Sequence, residues 1–166
     1  NRRKEALLSF RSDLEIVPVR GNVTTRLKKL EGGELEGIVL AAAGMRRLGF
    51  EQGELLPLEF FVPAPAQGIL VMQFRAGEST IIQSKELNYI FLAERSFARA
   101  LGASCKSAIG AFAEIKDNVL TLTGAVYSNL RLTKLSISAL PSEASRLGVE
   151  LAESFKSAGV DLSSVC

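Results

Sequence analysis

A chain of 166 residues, 47% apolar and 23% charged, is long enough for one large core or two small ones and too apolar to be disordered. Twenty Lys and Arg against eighteen Asp and Glu leave +2, which argues against nucleic-acid binding by bulk charge, so any cationic role must come from local clustering. The absence of histidine removes Ser-His and Cys-His nucleophile pairs and imidazole-ligated zinc, and the two cysteines, Cys105 and Cys166, are too few for a disulfide framework or a metal site.

No run reaches the ~20 apolar residues needed to span a bilayer. The opening "NRRKEALLSF" lacks the apolar core of a signal peptide. These features and the sparse cysteines point to the cytoplasm, with no membrane partner. The chain opens without Met on a helix-like run and so reads as part of a longer protein.

In chain order, Asn1 is placed to cap a helix over 2–11. Residues 14–19 read as a strand and "RGN" as a turn. A helix starts near Thr24–Thr25 and stops at the pair Gly32–Gly33. Residues 36–42 form an apolar run of the kind buried on both faces. Strand, helix and strand within this span predict a parallel βαβ unit. "LPLEFFVPAPAQG" reads as a proline-rich linker, and "ILVMQFR" as one more buried strand.

The second half reads as α+β. An amphipathic helix covers "ELNYIFLAERSFARAL". Then "AIGAFAEI", "VLTLTGAVYS" and "LRLTKLSISAL" form three strands joined by short turns at 116–118 and 128–129, which predicts an antiparallel meander. A last helix runs from Ser142, its expected N-cap, to Ser157. The expected architecture is an α/β lobe with parallel βαβ units, periplasmic-binding-protein-like, followed by a small α+β domain with a three-stranded antiparallel sheet.

Among the arginines of the first half are Arg2, Arg3, Arg20, Arg26, Arg46 and Arg47. In the expected topology, Arg20, Arg46 and Arg47 follow the C-terminal ends of parallel strands, the edge at which open α/β sheets bind ligands. Arg26 in the first turn of a helix opposes the macrodipole unless an anion shares the site. The pattern points to a pocket for carboxylates or phosphates and does not choose between them. Cys105, in "LGASCKSAIGAFAEI", reads by spacing alone as a structural or incidental thiol, with Lys106 beside it raising thiolate character only modestly.

"DLEIVPVRGNVTTRLKKLEGGELEGIVLAAAGMRRLGF" resembles the second domain of the porphobilinogen deaminase family, also called hydroxymethylbilane synthases. "PAPAQG" (Pro63–Gly68) falls in the family's order, and "LAERSFARALGASCKSAIGAFAEI" is similar to the segment bearing its cofactor cysteine. The family usually has Gly-Gly before that cysteine and Gln-Val-Pro after it, whereas here the run is Ala103-Ser104-Cys105-Lys106-Ser107-Ala108.

The resemblance implies a transferase of tetrapyrrole and heme biosynthesis. It would condense four porphobilinogen units stepwise onto a dipyrromethane primer, release ammonia at each step, and finally release hydroxymethylbilane. It places Cys105 as the thioether anchor of the primer and Arg2, Arg3, Arg20, Arg26 and Arg47 as its carboxylate holders. Arg20, Arg26, Arg47 and Gln67 would hold substrate and the polypyrrole intermediates. The family's catalytic aspartate would lie upstream of residue 1, and no metal is implied. The implied domains are 1–68, a partial second α/β domain with an arginine-lined cleft; 69–85, a hinge with a returning strand toward the missing first domain; and 86–166, the C-terminal domain with the cysteine. The full-length protein is expected to be a monomer. The competing expectation is a non-catalytic two-lobed anion-binding module.

Overall fold

The computed structural model describes residues 1–78, 84–162 and 165. They divide into two units, one of Asn1–Ser12 with the described residues from Pro57 onward, the other of Asp13–Leu56. Cys166 and part of the expected 69–85 hinge lie outside the described residues.

The first unit is built on a three-stranded antiparallel sheet of β1 (Ile109–Lys116), β2 (Val119–Ser128) and β3 (Arg131–Ala139), in that order. The register runs from Ile109↔Val126 to Lys116↔Val119 and from Leu120↔Ala139 to Ser128↔Arg131. Strand alternation decides what each face covers. Ile109, Ala111 and Ala113 of β1 and Leu120, Leu122 and Val126 of β2 are buried with Phe97, Leu147, Leu151 and Phe155 of two helices. These are α4 (Lys85–Ala100) and α5 (Ala144–Ser157). The Phe97 and Phe155 rings lie 5.5 Å apart. Ala125 and Tyr127 belong to the opposite face and form a second cluster with Val62 and with Ala6 of α1 (Arg2–Phe10).

Both hairpins turn on two left-handed residues, Asp117–Asn118 (φ 49° and 60°) and Asn129–Leu130 (φ 50° and 60°), a twist that suits two-residue loops. The second turn lies one residue later than the sequence suggests. Asp161 holds it by accepting from Ser128 Oγ and Asn129 Nδ2, both at 2.8 Å.

Ser84 caps α4 by accepting from the Leu87 amide at 3.2 Å. Ser142 does not cap the last helix. Pro141 opens a 3₁₀ turn over Pro141–Glu143, and the Glu143 carboxylate accepts from the Leu140 amide at 3.3 Å. Gly148 lets α5 approach α4 at backbone distance, since a Cβ there would stand 2.4 Å from the Ala93 carbonyl oxygen and 2.6 Å from the Phe97 nitrogen.

The expected linker is a docked segment. Pro63 O accepts from the Ala111 amide at 2.9 Å, and the Val62 amide donates to Tyr127 Oη at 2.9 Å. Gly110 permits this, because a Cβ would lie 2.7 Å from Val62 O.

The second unit holds α2 (Val23–Glu31) and α3 (Ala42–Arg47). Its expected strands, 14–19 and 36–42, carry no sheet ladder, and neither does 69–75 in the first unit. A strand buried on both faces needs backbone partners at its sides and covering layers. The apolar pattern records that need and does not supply the partner. Val17 is exposed, and Leu70 and Val71 are 81% and 76% exposed. A parallel βαβ lobe is therefore not formed among the described residues. No helix among them is long and apolar enough to cross a membrane.

Replacing Gly148 with Ala is expected to cost about 2–3 kcal/mol through overpacking of α4 against α5. An unchanged midpoint in urea denaturation would contradict the close approach.

Candidate functional site

Cys105 is a free, exposed cysteine on a turn between α4 and β1. The turn closes where the Ser107 amide donates to Ser104 O at 3.1 Å. Ser107 Oγ accepts from the Ser104 amide at 2.8 Å, and the Lys106 amide donates to Ser104 Oγ at 3.2 Å. The serines flanking the cysteine thus supply local side-chain partners that hold the backbone without a glycine pair.

Arg2 and Gln67 come together in the same unit. Arg2 Nη1 donates to Val62 O at 2.8 Å, Nη2 donates to Gln67 Oε1 at 3.3 Å, and the guanidinium lies 5.3 Å from the Phe61 ring centroid. Burial pushes the Arg2 guanidinium below the ordinary arginine range; nearby Tyr127 opposes that shift and Arg3 adds to it. Arg3 lies on the same helix, half-buried.

Behind Gln67 stands Glu94 of α4, only 4% exposed. Its carboxylate accepts from the Ala66 amide at 2.5 Å and from the Ala113 amide of β1 at 2.8 Å. Ala66 is left-handed (φ 63°), a conformation that costs a non-glycine residue roughly 1 kcal/mol, and the bond to Glu94 helps to hold it. Burial pushes the Glu94 carboxyl above its ordinary 4.5, against the two donating amides. Burial likewise raises the Tyr127 phenol, against the Val62 amide and Arg2.

The second unit presents its arginines differently from the sheet edge expected for them. Arg20 is exposed beside Gly21, whose φ of 110° suits glycine. Asn22 caps α2 and accepts from Thr25 N at 2.8 Å, Thr24 Oγ1 at 2.8 Å and Thr25 Oγ1 at 2.7 Å. Arg26 Nε turns back to donate to Gly21 O at 2.7 Å, which ties the "RGN" turn to the helix. Arg46 and Arg47 are exposed in the last turn of α3, where cations complement the helix dipole. Without a parallel sheet, Arg20 and Arg26 share a turn and a helix start, while Arg46 and Arg47 share a helix end.

One neighbour of these residues was not singled out from sequence: Glu94, which carried a signal as a carboxylate on the α4 face that also buries Ala93 and Phe97. Ser107 stood out only as a departure from the family's pattern, and its bond to Val165 O, 58 residues away, left no trace in the sequence.

The geometry can be set beside known proteins. The family model "Porphobilinogen deaminase, dipyromethane cofactor binding domain" matches residues 1–83, and "Porphobilinogen deaminase, C-terminal domain" matches 89–157. A porphobilinogen deaminase of Clostridium perfringens is 43% identical over 159 residues, covering 92% of this chain and 55% of the relative. Those of Alkaliphilus oremlandii and Francisella philomiragia are 40% and 41% identical, covering 93% and 92% of this chain and 55% and 53% of theirs. The chain thus spans about half the length of the curated relatives it matches.

Because Glu94 binds its proton more tightly in the folded state, its contribution to stability is largest below the ordinary 4.5 and is lost as pH rises through the raised native value. The stability difference between the parent and Glu94→Gln should shift in the parent's favour as pH falls from neutral toward that range. A difference flat in pH would contradict the assignment. Glu94→Ala, which orphans two amides, should cost about 3 kcal/mol in denaturant titration.

Proposed function

The chain belongs to the porphobilinogen deaminase family, and from that premise we propose that it is the tether-bearing part of a transferase of tetrapyrrole biosynthesis. The proposed reaction joins four porphobilinogen units in turn to a cysteine-linked dipyrromethane, each new carbon–carbon bond expelling one ammonia. Water then cleaves the bond between the four-unit chain and the retained primer to release hydroxymethylbilane.

The observation that carries this reading is Cys105, an exposed thiol on a hydrogen-bonded turn at the rim of a packed sheet. Such a thiol fits a covalent adduct, because a bulky group attached there displaces no core side chain. When bound, the dipyrromethane supplies the pyrrole carbon to which new units are joined. What this chain contributes is anchorage and charge. Each added pyrrole brings carboxylates, so the growing chain needs guanidinium partners. Arg20 and Arg47 are exposed and suited to that role, and Arg26 has its Nε committed to Gly21 O while its terminal nitrogens remain for a ligand.

Arg2 differs. It already holds Val62 O and Gln67, so its proposed contribution to cofactor binding is to set the 62–67 segment while sharing its charge. Gln67 accepts from Arg2, which leaves its amide nitrogen for a substrate carboxylate. Arg3 is placed by the same helix.

The acid that protonates the leaving amine is proposed to come from the half of the relatives' length that this chain does not match. That half would also supply the ladder partners for 14–19, 36–42 and 69–75, completing the two-lobed α/β fold, with 69–85 as the connection. A cytoplasmic monomer is the proposed full-length state.

Intact-mass measurement on the full-length protein should show one dipyrromethane adduct, absent in Cys105→Ser. An unmodified parent would overturn the tether and favour a non-catalytic anion-binding module.

In the same protein Arg20→Leu should lower turnover about tenfold or more by removing a charge-assisted carboxylate contact. Unchanged turnover would contradict its role.

A further inference from the structure

The turn that carries Cys105 is held by hydroxyl groups and tied to a distant part of the chain. Ser107 is only 7% exposed. Its Oγ accepts from the Ser104 amide at 2.8 Å, lies 3.4 Å from Ser104 Oγ, and donates to Val165 O. A serine hydroxyl has one donor and two acceptor sites, so these contacts use its full capacity. Val165 is itself completely buried in the core shared by α4, α5 and the sheet, and its amide donates to Leu162 O at 2.9 Å. The acceptor of the Ser107 hydroxyl is therefore fixed by packing, and so is the turn that this hydroxyl closes. Cys105 is left exposed at a corner whose two flanking serines are both immobilised.

We propose that Ser107 is a positioning residue for Cys105: its hydroxyl, bridging the Ser104 amide and the Val165 carbonyl, holds the thiol at the exposed corner in a single orientation for attachment of the cofactor. This rests on the reading of Cys105 as the tether. Ser107 acts through the backbone at Ser104 and touches no substrate. A preorganised corner lets the thiol present itself without first ordering the four residues of the turn, each of which would otherwise lose backbone freedom on attachment.

The test uses the full-length protein with two readouts. The first is peptide-resolved hydrogen exchange at the Ser104 and Ser107 amides, which does not depend on cofactor. The second is the rate at which protein prepared without cofactor gains the adduct mass when incubated with porphobilinogen. In that loading the sulfur bonds to the aminomethyl carbon of one unit, and that unit's ring bonds to the aminomethyl carbon of a second. One ammonia is expelled at each bond, and the thiol and pyrrole protons leave with it or to solvent. In Ser107→Ala, exchange at Ser104 should rise about fivefold, as expected for one lost hydrogen bond. Exchange in β1 and β2 should be unchanged. The loading rate should fall by a similar factor, and Ser107→Thr, which keeps the hydroxyl, should restore both. Unchanged exchange at Ser104, or loading of Ser107→Ala at the parental rate in a parent that does load, overturns this proposal alone. A parent that never gains the adduct overturns the tether reading and this proposal with it.

Discussion

The carboxylate of Glu94 is the contact on which the first unit depends. β1 is an edge strand, and its outward amides need acceptors. Pro63 O meets the amide of Ala111, and two residues on, Glu94 meets that of Ala113. A helix side chain thus stands where the carbonyl of a neighbouring strand would stand. The second oxygen of the same carboxylate fixes Ala66 in a left-handed conformation. One buried group therefore joins α4, the sheet edge and the proline-rich turn. Two donated bonds offset part of the cost of burying it, and the remainder appears as a raised proton affinity.

From that joint the placement of the site residues in this unit follows. With the 62–66 backbone docked, Tyr127 Oη can accept from the Val62 amide, and Arg2 can reach Val62 O and Gln67 together. At the end of α4, the turn with Cys105 starts from the same helix that carries Glu94. The sheet and two helices provide the rigid body. The exposed thiol of Cys105 sits on a loop at its rim, where packed scaffolds commonly carry binding and catalytic groups. In the other unit, Asn22 and Arg26 do for the "RGN" turn what the serines do around Cys105, with side chains closing a backbone corner.

Much of this was legible in the residues, because much of it is local. The three strands, their tight turns and the two flanking helices follow from alternation, helical spacing and turn residues. α2 and its stop at the glycine pair were readable for the same reason. The expected parallel strands follow from apolar runs that ask for ladder partners, and 14–19, 36–42 and 69–75 carry no sheet ladder among the described residues. Cys105 and the arginines were visible as residue types; how they are held was not. Glu94 reaches 28 residues back to Ala66 and 19 forward to Ala113, and Ser107 reaches 58 residues to Val165. Bonds between a side chain and a distant backbone group leave no periodic trace. Ser104 and Ser107 looked like departures from a familiar glycine and valine, yet they build the turn.

The central claim is that this scaffold exists to present one thiol as a covalent anchor. Peptide mapping by mass spectrometry on the full-length protein tests it most directly. The account predicts the dipyrromethane mass on the peptide containing Ser104-Cys105-Lys106-Ser107 and no addition at Cys166. The same mass on any other residue, or on none, would contradict it.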